Sequence, residues 1–298
     1  MAASLNRRQF LKAAAAAAVT GPFIGSSGAA SPNQRVRLAF IACGERAQQM
    51  LPMFLSAANT EIAALCDVNE PRMGLLRDAI QQLKPEQKPD MVIDYRSILD
   101  RKDVDGVVIA TTQHWHGLPH IHAAQAGKAI FVEKPLSHTV VEGRAMVQAS
   151  KKYGVHTIMG TQQRIGPSYQ QAVEVVRSGR LGKISLVECW NYHNTGQRAE
   201  PIERVRAVPY FDPKDPMRSE QDGPFQRLFV DSIREGKPPM IDIEHSHKAT
   251  VCCHLANIAY LTRSTVHWDG ATETIANNPA ASALLARPRR RGYELPSV

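Results

Sequence analysis

The chain has 298 residues, of which 43% are hydrophobic and 21% are charged. These proportions are ordinary for a soluble globular protein of one or two domains. The formal net charge is +8, but the excess lies at the two ends, because residues 1–30 contain no acidic residue and four arginines fall within residues 287–291. The central part is close to neutral, which excludes the basic surface of a nucleic-acid-binding protein.

The first thirty residues have the pattern of a twin-arginine export signal. Asn6-Arg-Arg-Gln-Phe-Leu-Lys12 precedes an apolar run at 13–19, and small residues continue to Ala30. This order of basic, apolar and small residues is typical of a signal peptide. The apolar run is too short to span a bilayer well, although an uncleaved helical anchor is an alternative. We expect residues 1–30 to direct export to the periplasm and the mature chain to have no membrane span.

From residue 37 onward, short apolar runs alternate with amphipathic stretches, and this alternation predicts a parallel, doubly wound α/β sheet. Strands are predicted at 37–44, 62–67, 91–94, 107–110, 129–132 and 155–160. Helices are predicted to begin at Glu45 and to span 72–83, 96–99, 140–153 and 169–178. The fold class is thus α/β, with a dinucleotide-binding domain at 31–160 and a second domain at 161–298.

The turn after the first predicted strand is similar to the glycine turn that binds dinucleotides, G-x-G-x-x-G. This chain has Ala42, Gly44 and Ala47 at the three positions. Gly44 occupies the position closest to the pyrophosphate, and alanine is accepted at the third position, whereas the Cβ of Ala42 is expected to crowd the turn. The residues expected to contact the cofactor here are Ala42, Gly44, Glu45 and Arg46.

Asp67 follows the second predicted strand, 23 residues beyond Gly44. An acidic residue at this place accepts hydrogen bonds from the adenosine ribose, and its charge repels a 2′-phosphate. Asp67 therefore favours NAD over NADP. The alternative is that Asp67 caps a helix that begins near Pro71.

Polar residues follow two neighbouring strands, those at 107–110 and 129–132, where each strand ends. Ligands bind outside the carboxyl ends of the strands in an open α/β sheet, so these polar residues are expected to share one site. Pro135 cannot continue a sheet ladder and is expected to end the second of these strands. The residues concerned are Thr111, His114, His116, Glu133 and Lys134.

The Glu133-Lys134-Pro135 triplet and the run from Thr111 to Pro119 resemble the Gfo/Idh/MocA oxidoreductase family. The resemblance covers about residues 35–190 well and about residues 224–295 moderately. It implies hydride transfer between a nicotinamide cofactor and a sugar or cyclitol carbon.

The resemblance also implies roles for individual residues. Lys134 is expected to donate to the reacting hydroxyl, with a salt bridge to a nearby acid as the alternative. Glu133 is expected to shape the nicotinamide end, and Gln162 to lie at the cofactor and substrate cleft. His114 and His116 either contact the nicotinamide ribose or substrate, or secure their loop by hydrogen bonds.

The second domain departs from the family pattern in its middle. A strand is predicted at 184–192, but residues 197–223 are polar and proline-rich, and no alternating strands follow. Helices at 225–235 and 243–261 are similar to the closing part of the family's second domain. We expect a shortened α+β domain without the family's Asp-x-x-x-His segment. His193 is the first candidate to replace the missing base, with His245 and His247 behind it.

Metal binding is not expected. His116, His120 and His122 lie close in sequence, but no cysteine or acidic residue lies at a matching spacing. The five cysteines form no CxxC pair, and we expect them to be buried small hydrophobic residues rather than disulfides or ligands.

The leading hypothesis is an exported NAD-dependent sugar or cyclitol oxidoreductase. One alternative is an NAD-dependent glycosidase of the same family, in which transient oxidation of the sugar allows elimination. Another is a catalytically inactive NAD-binding remnant. Family members pair through the outer face of the second-domain sheet, so the missing middle weakens the expectation of a homo-oligomer.

Overall fold

The computed structural model describes residues 35–187, 222–239, 241–276 and 278–298. Its centre is a sheet of six parallel strands in the order β3-β2-β1-β4-β5-β6. The order reverses between β1 and β4, and this reversal opens a crevice at the carboxyl ends of the strands. The predicted doubly wound sheet is confirmed. The strands are β1 (Val36–Ile41), β2 (Thr60–Cys66), β3 (Asp90–Val92), β4 (Gly106–Ile109), β5 (Ala129–Val132) and β6 (Thr157–Met159).

Helices cover both faces of this sheet. Within the first 187 residues they are α1 (Glu45–Leu55), α2 (Glu70–Leu83), α3 (Arg96–Leu99), α4 (Gly117–Gln125), α5 (Val140–Tyr153) and α6 (Pro167–Arg177). The predicted bounds of α5 are confirmed, since Thr139 and Glu142 form a capping box at its start and Gly154 ends it with a positive φ.

The later part of the chain contributes helices and a small antiparallel pair of strands. Its elements are α7 (Asp222–Glu235), α8 (Ile243–Thr262), β7 (Trp268–Asp269), β8 (Thr274–Ile275) and α9 (Pro279–Ala283). The predicted helices at 225–235 and 243–261 are confirmed. The domain boundary at residue 160 stays a prediction.

Helix α7 shares the core of the parallel sheet. Phe54 of α1 makes edge-to-face contacts with Phe40, Phe131 and Phe229, at centroid distances of 5.7, 5.1 and 6.4 Å. Phe229 lies on α7 and is fully buried. The chain beyond residue 221 therefore completes one face of the parallel sheet, while α8 packs against α5 on the other face.

The predicted strand at 184–192 is wrong for its described residues. Residues 184–187 form no strand, and Leu186 and Val187 are each 73% exposed. A strand needs a hydrogen-bonding neighbour and a surface to cover, and within the described ranges no other strand lies beside these four residues. Residues 188–192 lie outside the described part of the chain.

The cysteine expectation is confirmed for two of the five residues. Cys43 and Cys66 are buried and free, and burial raises the pKa of Cys66 to about 12. Cys252 and Cys253 are free but exposed on α8, so the expected burial is wrong for this pair. Cys189 lies outside the described residues.

No helix in the described ranges combines the length and apolar character that crossing a bilayer requires.

Replacing Phe54 by alanine is expected to destabilise the fold by about 3–5 kcal/mol, because the ring fills the centre of the aromatic cluster and a cavity would remain. Urea unfolding of residues 31–298 measures this loss. Leu75→Ala is the control, since Leu75 is 49% exposed on α2 and should change stability by less than about 0.5 kcal/mol. A loss below about 1 kcal/mol for Phe54→Ala would contradict the packing described.

Candidate functional site

The last residues of five strands lie level at one edge of the sheet. Ile41 of β1 is in register with Cys66 of β2 and with Ile109 of β4. Ile109 is in turn in register with Val132 of β5, which pairs with Met159 of β6. The residues that follow each strand must therefore emerge together. This edge gathers the predicted cofactor and catalytic residues of the described part of the chain.

The turn between β1 and α1 is tight, and Ala42 occupies it with φ of +79°. This conformation is costly for a residue with a Cβ. The Ala42 amide donates to the Cys66 carbonyl at 2.7 Å, which holds the turn against β2. This positive φ agrees with the expectation that alanine fits poorly at position 42, where the dinucleotide-binding pattern has glycine.

Gly44 stands at the start of α1 with an ordinary φ of −70°, and no described side chain caps this end of the helix. A Cβ added at Gly44 would meet only the end of the Arg72 side chain, at 3.8 Å. The first amides of an uncapped helix attract an anion through their N–H groups and the helix dipole. The turn therefore leaves an open approach for a phosphate.

Asp67 is held beside this turn by two backbone amides. Its carboxylate accepts from Cys43 N at 2.8 Å and from Asn69 N at 2.9 Å. Asn69, rather than Asp67, caps α2 by accepting from Arg72 N at 3.1 Å. The N-cap position considered as the alternative role for Asp67 is thus occupied by Asn69. Asp67 lines an open cavity instead.

Arg46 connects α1 to the ends of β5 and β6. Its Nε donates to Glu133 Oε1 at 2.9 Å, and Glu133 is 4% exposed. With the amide of Gln162 oriented to fit its neighbours, Gln162 Oε1 accepts from Arg46 Nη2 at 2.6 Å and Nε2 donates to the Gly160 carbonyl at 2.9 Å. Three residues predicted separately thus form one hydrogen-bonded cluster, and a buried carboxylate gains the partner it requires.

Glycine is required at position 160 by this cluster. A Cβ on Gly160 would lie 2.7 Å from Glu133 Oε1, closer than non-bonded atoms approach. Because Gly160 has no side chain, the backbone that follows β6 can pass directly over the Glu133 carboxylate.

Lys134 follows Glu133 and is exposed, and no described group pairs with its Nζ. The peptide bond between Lys134 and Pro135 is cis. The salt bridge considered as the alternative role for Lys134 is absent from the described residues, and the ammonium group faces solvent at the edge of the site.

His116 is 1% exposed and lies between two backbone carbonyls. Its Nδ1 is 2.7 Å from the Pro135 oxygen and its Nε2 is 3.0 Å from the Thr111 oxygen. Burial lowers the pKa of His116, so the ring is neutral near pH 7 and donates one hydrogen bond. This geometry matches the loop-securing role considered for His116. His114 is exposed, and its carbonyl accepts from Arg287 Nη2 at 2.5 Å.

The other histidines of this stretch have separate partners. His120 Nε2 is 2.9 Å from Ser150 Oγ, and His122 Nδ1 is 2.9 Å from Tyr95 Oη. Over the ranges with described coordinates, no group of three His, Cys, Asp or Glu residues is arranged to hold a metal ion.

A cavity of about 420 Å³ lies at the ends of β1, β2 and β4, within the range of about 300–1,000 Å³ typical of small-molecule sites. Its walls include Ala42, Asp67 and Thr111. Thr111 Oγ1 is buried and has no described hydrogen-bond partner, and a buried hydroxyl in that state calls for a ligand or water. The cavity, the open turn at Gly44 and this hydroxyl together fit a dinucleotide.

Sequence reasoning missed part of this cavity. Tyr95, Trp115, Arg290 and Tyr293 also line it. Tyr293 is 178 residues from Trp115 along the chain, so no local pattern links the two.

Of the three candidate bases, two lie in the described part of the chain. His193 lies outside the described residues. His245 is exposed near Asp242, at 3.4 Å. His247 is buried, and its Nε2 is 2.9 Å from Glu273 Oε1, which ties α8 to the turn before β8.

Comparison with known proteins identifies two segments. Residues 36–161 match the profile of an oxidoreductase family with an NAD-binding Rossmann fold. Residues 4–21 match the signal sequence of the twin-arginine translocation pathway, so the chain carries an export signal as predicted.

The chain is also similar to several characterised sequences and structures. It is 27% identical over 226 residues to glycosyl hydrolase family 109 protein 1 of Shewanella sp. (strain ANA-3), covering 67% of this chain and 49% of that protein. It is 27% identical over 207 residues to an α-N-acetylgalactosaminidase of Shewanella oneidensis, covering 61% and 44%. The chain thus spans about half the length of the curated relatives it matches. The WlbA dehydrogenase of Bordetella pertussis, solved with NADH and UDP-GlcNAcA, has 24% identity and a TM-score of 0.44, with 51% and 42% of the two chains covered.

Replacing Ala42 by glycine is expected to stabilise the protein by about 1 kcal/mol, because glycine adopts a positive φ without the Cβ penalty. Urea unfolding measures the gain. Ala126→Gly is the matched control: Ala126 is exposed with φ of −82°, so the same change there should cost about 0.5–1 kcal/mol. Equal losses for both variants would show that the turn at residue 42 is not strained.

Stability is expected to fall with acid through His120. Burial lowers the pKa of His120 from 6.5 to about 3, so below pH 6.5 the unfolded chain binds a proton that the folded chain does not. The free energy of unfolding that depends on a neutral His120 is fully present above pH 6.5. It declines by up to about 1.4 kcal/mol per pH unit as the pH falls toward 3.

His120→Gln should flatten the slope of unfolding free energy between pH 6 and pH 4.5 by close to one proton. His267→Gln is the control, because His267 is exposed and should leave the slope unchanged. An unchanged slope in the His120 variant would contradict this assignment.

Proposed function

We propose that the chain is a nicotinamide-dependent oxidoreductase of the Gfo/Idh/MocA type, because residues 36–161 match the model of an oxidoreductase family with an NAD-binding Rossmann fold. Its substrate is a hydroxyl-bearing carbon of a sugar or cyclitol. The observation that carries the proposal is the convergence of Gly44, Arg46, Asp67, Glu133 and Lys134 at the level strand ends. A bound nicotinamide supplies the hydride acceptor or donor at this edge.

The dinucleotide is proposed to lie across the reversal point between β1 and β4. The open turn at Gly44 and the uncapped amides of α1 bind its pyrophosphate. Thr111 Oγ1, which has no described partner, donates to it or to its ribose. Glu45 is exposed in the first turn of α1, and its predicted contact with the cofactor is kept in this proposal.

Asp67 supports NAD over NADP. Its carboxylate is held by two amides at the cavity wall, so an acceptor pair is presented to the adenosine ribose hydroxyls. The same negative charge repels a 2′-phosphate at close range.

Arg46, Glu133 and Gln162 are proposed to shape the nicotinamide end. The ion pair fixes Glu133 in place, and Glu133 Oε2 accepts from the Lys134 amide at 3.1 Å. The side chain of Lys134 is left free to donate to the reacting hydroxyl oxygen and to stabilise the charge that develops when its proton leaves. His193 is proposed as the group that receives that proton, and His114 and His116 are proposed to hold the loop that follows β4.

The curated relatives favour a second candidate function, transient oxidation that leads to glycosidic bond cleavage. Two of them are named as a family 109 glycosyl hydrolase protein and an α-N-acetylgalactosaminidase. In that reaction the hydride returns to the sugar after elimination, so no net reduced cofactor accumulates. The same residues serve both reactions up to the first hydride transfer.

The deciding binding test uses Gly44→Ala. The protein tolerates a Cβ at Gly44, because φ is −70° and the nearest atom is 3.8 Å away. The unliganded melting temperature should therefore stay within about 1 °C of the parent, while NAD affinity should fall at least roughly tenfold as the Cβ blocks the pyrophosphate. Thermal-shift titrations of residues 31–298 with NAD and NADP measure both quantities.

Gly74→Ala is the control, since nothing lies within 4 Å of a Cβ at Gly74 on α2. No shift of the parent chain with either nucleotide would refute the proposed function. A larger shift with NADP than with NAD would refute the role of Asp67 alone.

Turnover separates the remaining candidates. Net NADH from free sugars or cyclitols identifies the oxidoreductase, whereas released sugar without net NADH identifies the glycosidase. Lys134→Met should abolish either activity while NAD still binds. NAD binding without any turnover by the parent chain would identify a cofactor-binding remnant.

A further inference from the structure

The closing segment, residues 286–298, runs across the candidate cofactor site. Arg290, Gly292 and Tyr293 line the same cavity as Asp67 and Thr111. The charge pattern of this basic segment predicts only a packed or solvated terminus. The segment nevertheless borders the cavity into which the unpartnered Thr111 hydroxyl is buried.

Two arginines anchor the start of the segment to a buried acid. Arg287 donates to Glu142 Oε1 through Nε at 3.2 Å and Nη2 at 2.9 Å, and Arg289 pairs with the same oxygen. Glu142 is 1% exposed and is also the acidic member of the capping box that Thr139 begins at the start of α5. A buried carboxylate with two guanidinium partners is costly to separate from either one. The segment is therefore firmly attached at this point.

The end of the segment is anchored by apolar contact. Leu295 and Val298 pack against the core cluster on the α5 face of the sheet. Between the two anchors the chain turns, with Tyr293 N donating to the Arg290 carbonyl at 3.0 Å and Gly292 N donating to the Glu294 carboxylate at 2.8 Å. The turn places the side chains of Arg290 and Tyr293 at the cavity.

The cavity wall made by this turn is aromatic and cationic. The Tyr293 ring meets Trp115 edge to face at 5.4 Å, and the Arg290 guanidinium lies 4.2 Å from the centre of the Tyr293 ring. Tyr95, which also lines the cavity, is fixed by its hydrogen bond to His122. Aromatic rings and arginine planes are the groups on which nucleobases stack.

We infer that the closing segment forms the adenine end of the dinucleotide site, with Tyr293 and Arg290 as adenine-binding residues. The inference rests on the proposed function, which supplies the positions of the pyrophosphate and the adenosine ribose. The pyrophosphate is assigned to Gly44 and the ribose to Asp67, so the base must extend beyond Asp67 into the cavity that Tyr293 borders. Asp94 also lines the cavity, but its carboxylate is paired with Arg96 at 2.6 Å, so an uncharged planar base suits the aromatic wall beside it.

The segment also links the two ends of the site. Arg287 Nη2 donates to the His114 carbonyl, in the loop that follows β4. Adenine bound against Tyr293 would contact the same segment that carries Arg287. Arg287 in turn binds the His114 loop through its hydrogen bond to the His114 carbonyl.

The test compares Tyr293→Ala with the parent by calorimetric titration of NAD, AMP and nicotinamide mononucleotide into residues 31–298. Loss of base stacking should weaken NAD and AMP by roughly 5- to 150-fold and leave the mononucleotide unchanged, because that half lacks adenine. Tyr260→Ala is the matched control, since Tyr260 is 77% exposed on α8, and it should leave all three affinities unchanged.

Two more variants guard against a simple loss of folding. Tyr293→Phe keeps the ring and should retain parent affinity for AMP within about twofold, whereas Arg290→Met should weaken AMP while leaving the unliganded melting temperature unchanged. If Tyr293→Ala binds AMP as the parent does, the inference is overturned and the proposed function stands. If the parent binds AMP in a Tyr293-dependent way but no nicotinamide nucleotide, the proposed function fails, while adenine binding by Tyr293 stands. If it binds neither, both fail.

Discussion

The structure depends on the level ending of its parallel strands. β1, β2, β4 and β5 stop at residues that are in register across the sheet, so the next residue of each strand enters the same crevice. Parallel strands cannot be joined by short turns, and each crossover must return over a face of the sheet. The polar residues that follow the strands therefore lie at one edge, and their mutual distances follow from the strand spacing.

The ion pair between Arg46 and Glu133 converts this common edge into a fixed site. Glu133 is buried at the strand ends, where a carboxylate requires a hydrogen-bonding partner. Arg46 reaches it from the first turn of α1 and also binds Gln162, and Gly160 leaves the room that the carboxylate needs. The pyrophosphate end and the nicotinamide end of the proposed cofactor site are thus mechanically connected through one guanidinium group.

The later part of the chain supports this domain. Phe229 completes the aromatic cluster on one face of the sheet, α8 packs on the other face, and the closing segment reaches the cofactor edge through Glu142. The chain spans about half the length of its curated relatives. Within that length, these contacts complete both faces of the sheet that carries the proposed cofactor site. Lys134, the proposed donor to the substrate, stays exposed at its edge.

Local sequence was sufficient for the sheet, the bounds of α5 and the misfit at Ala42, because apolar runs, capping residues and turn residues act over a few positions. It also placed Asp67 and Glu133 at strand ends. It did not reveal that Arg46 pairs with Glu133, that the His116 ring lies between two backbone carbonyls, or that Tyr293 borders the cavity. Those contacts join residues far apart in the chain, and only the packing of helices and the closing segment on the sheet brings them together.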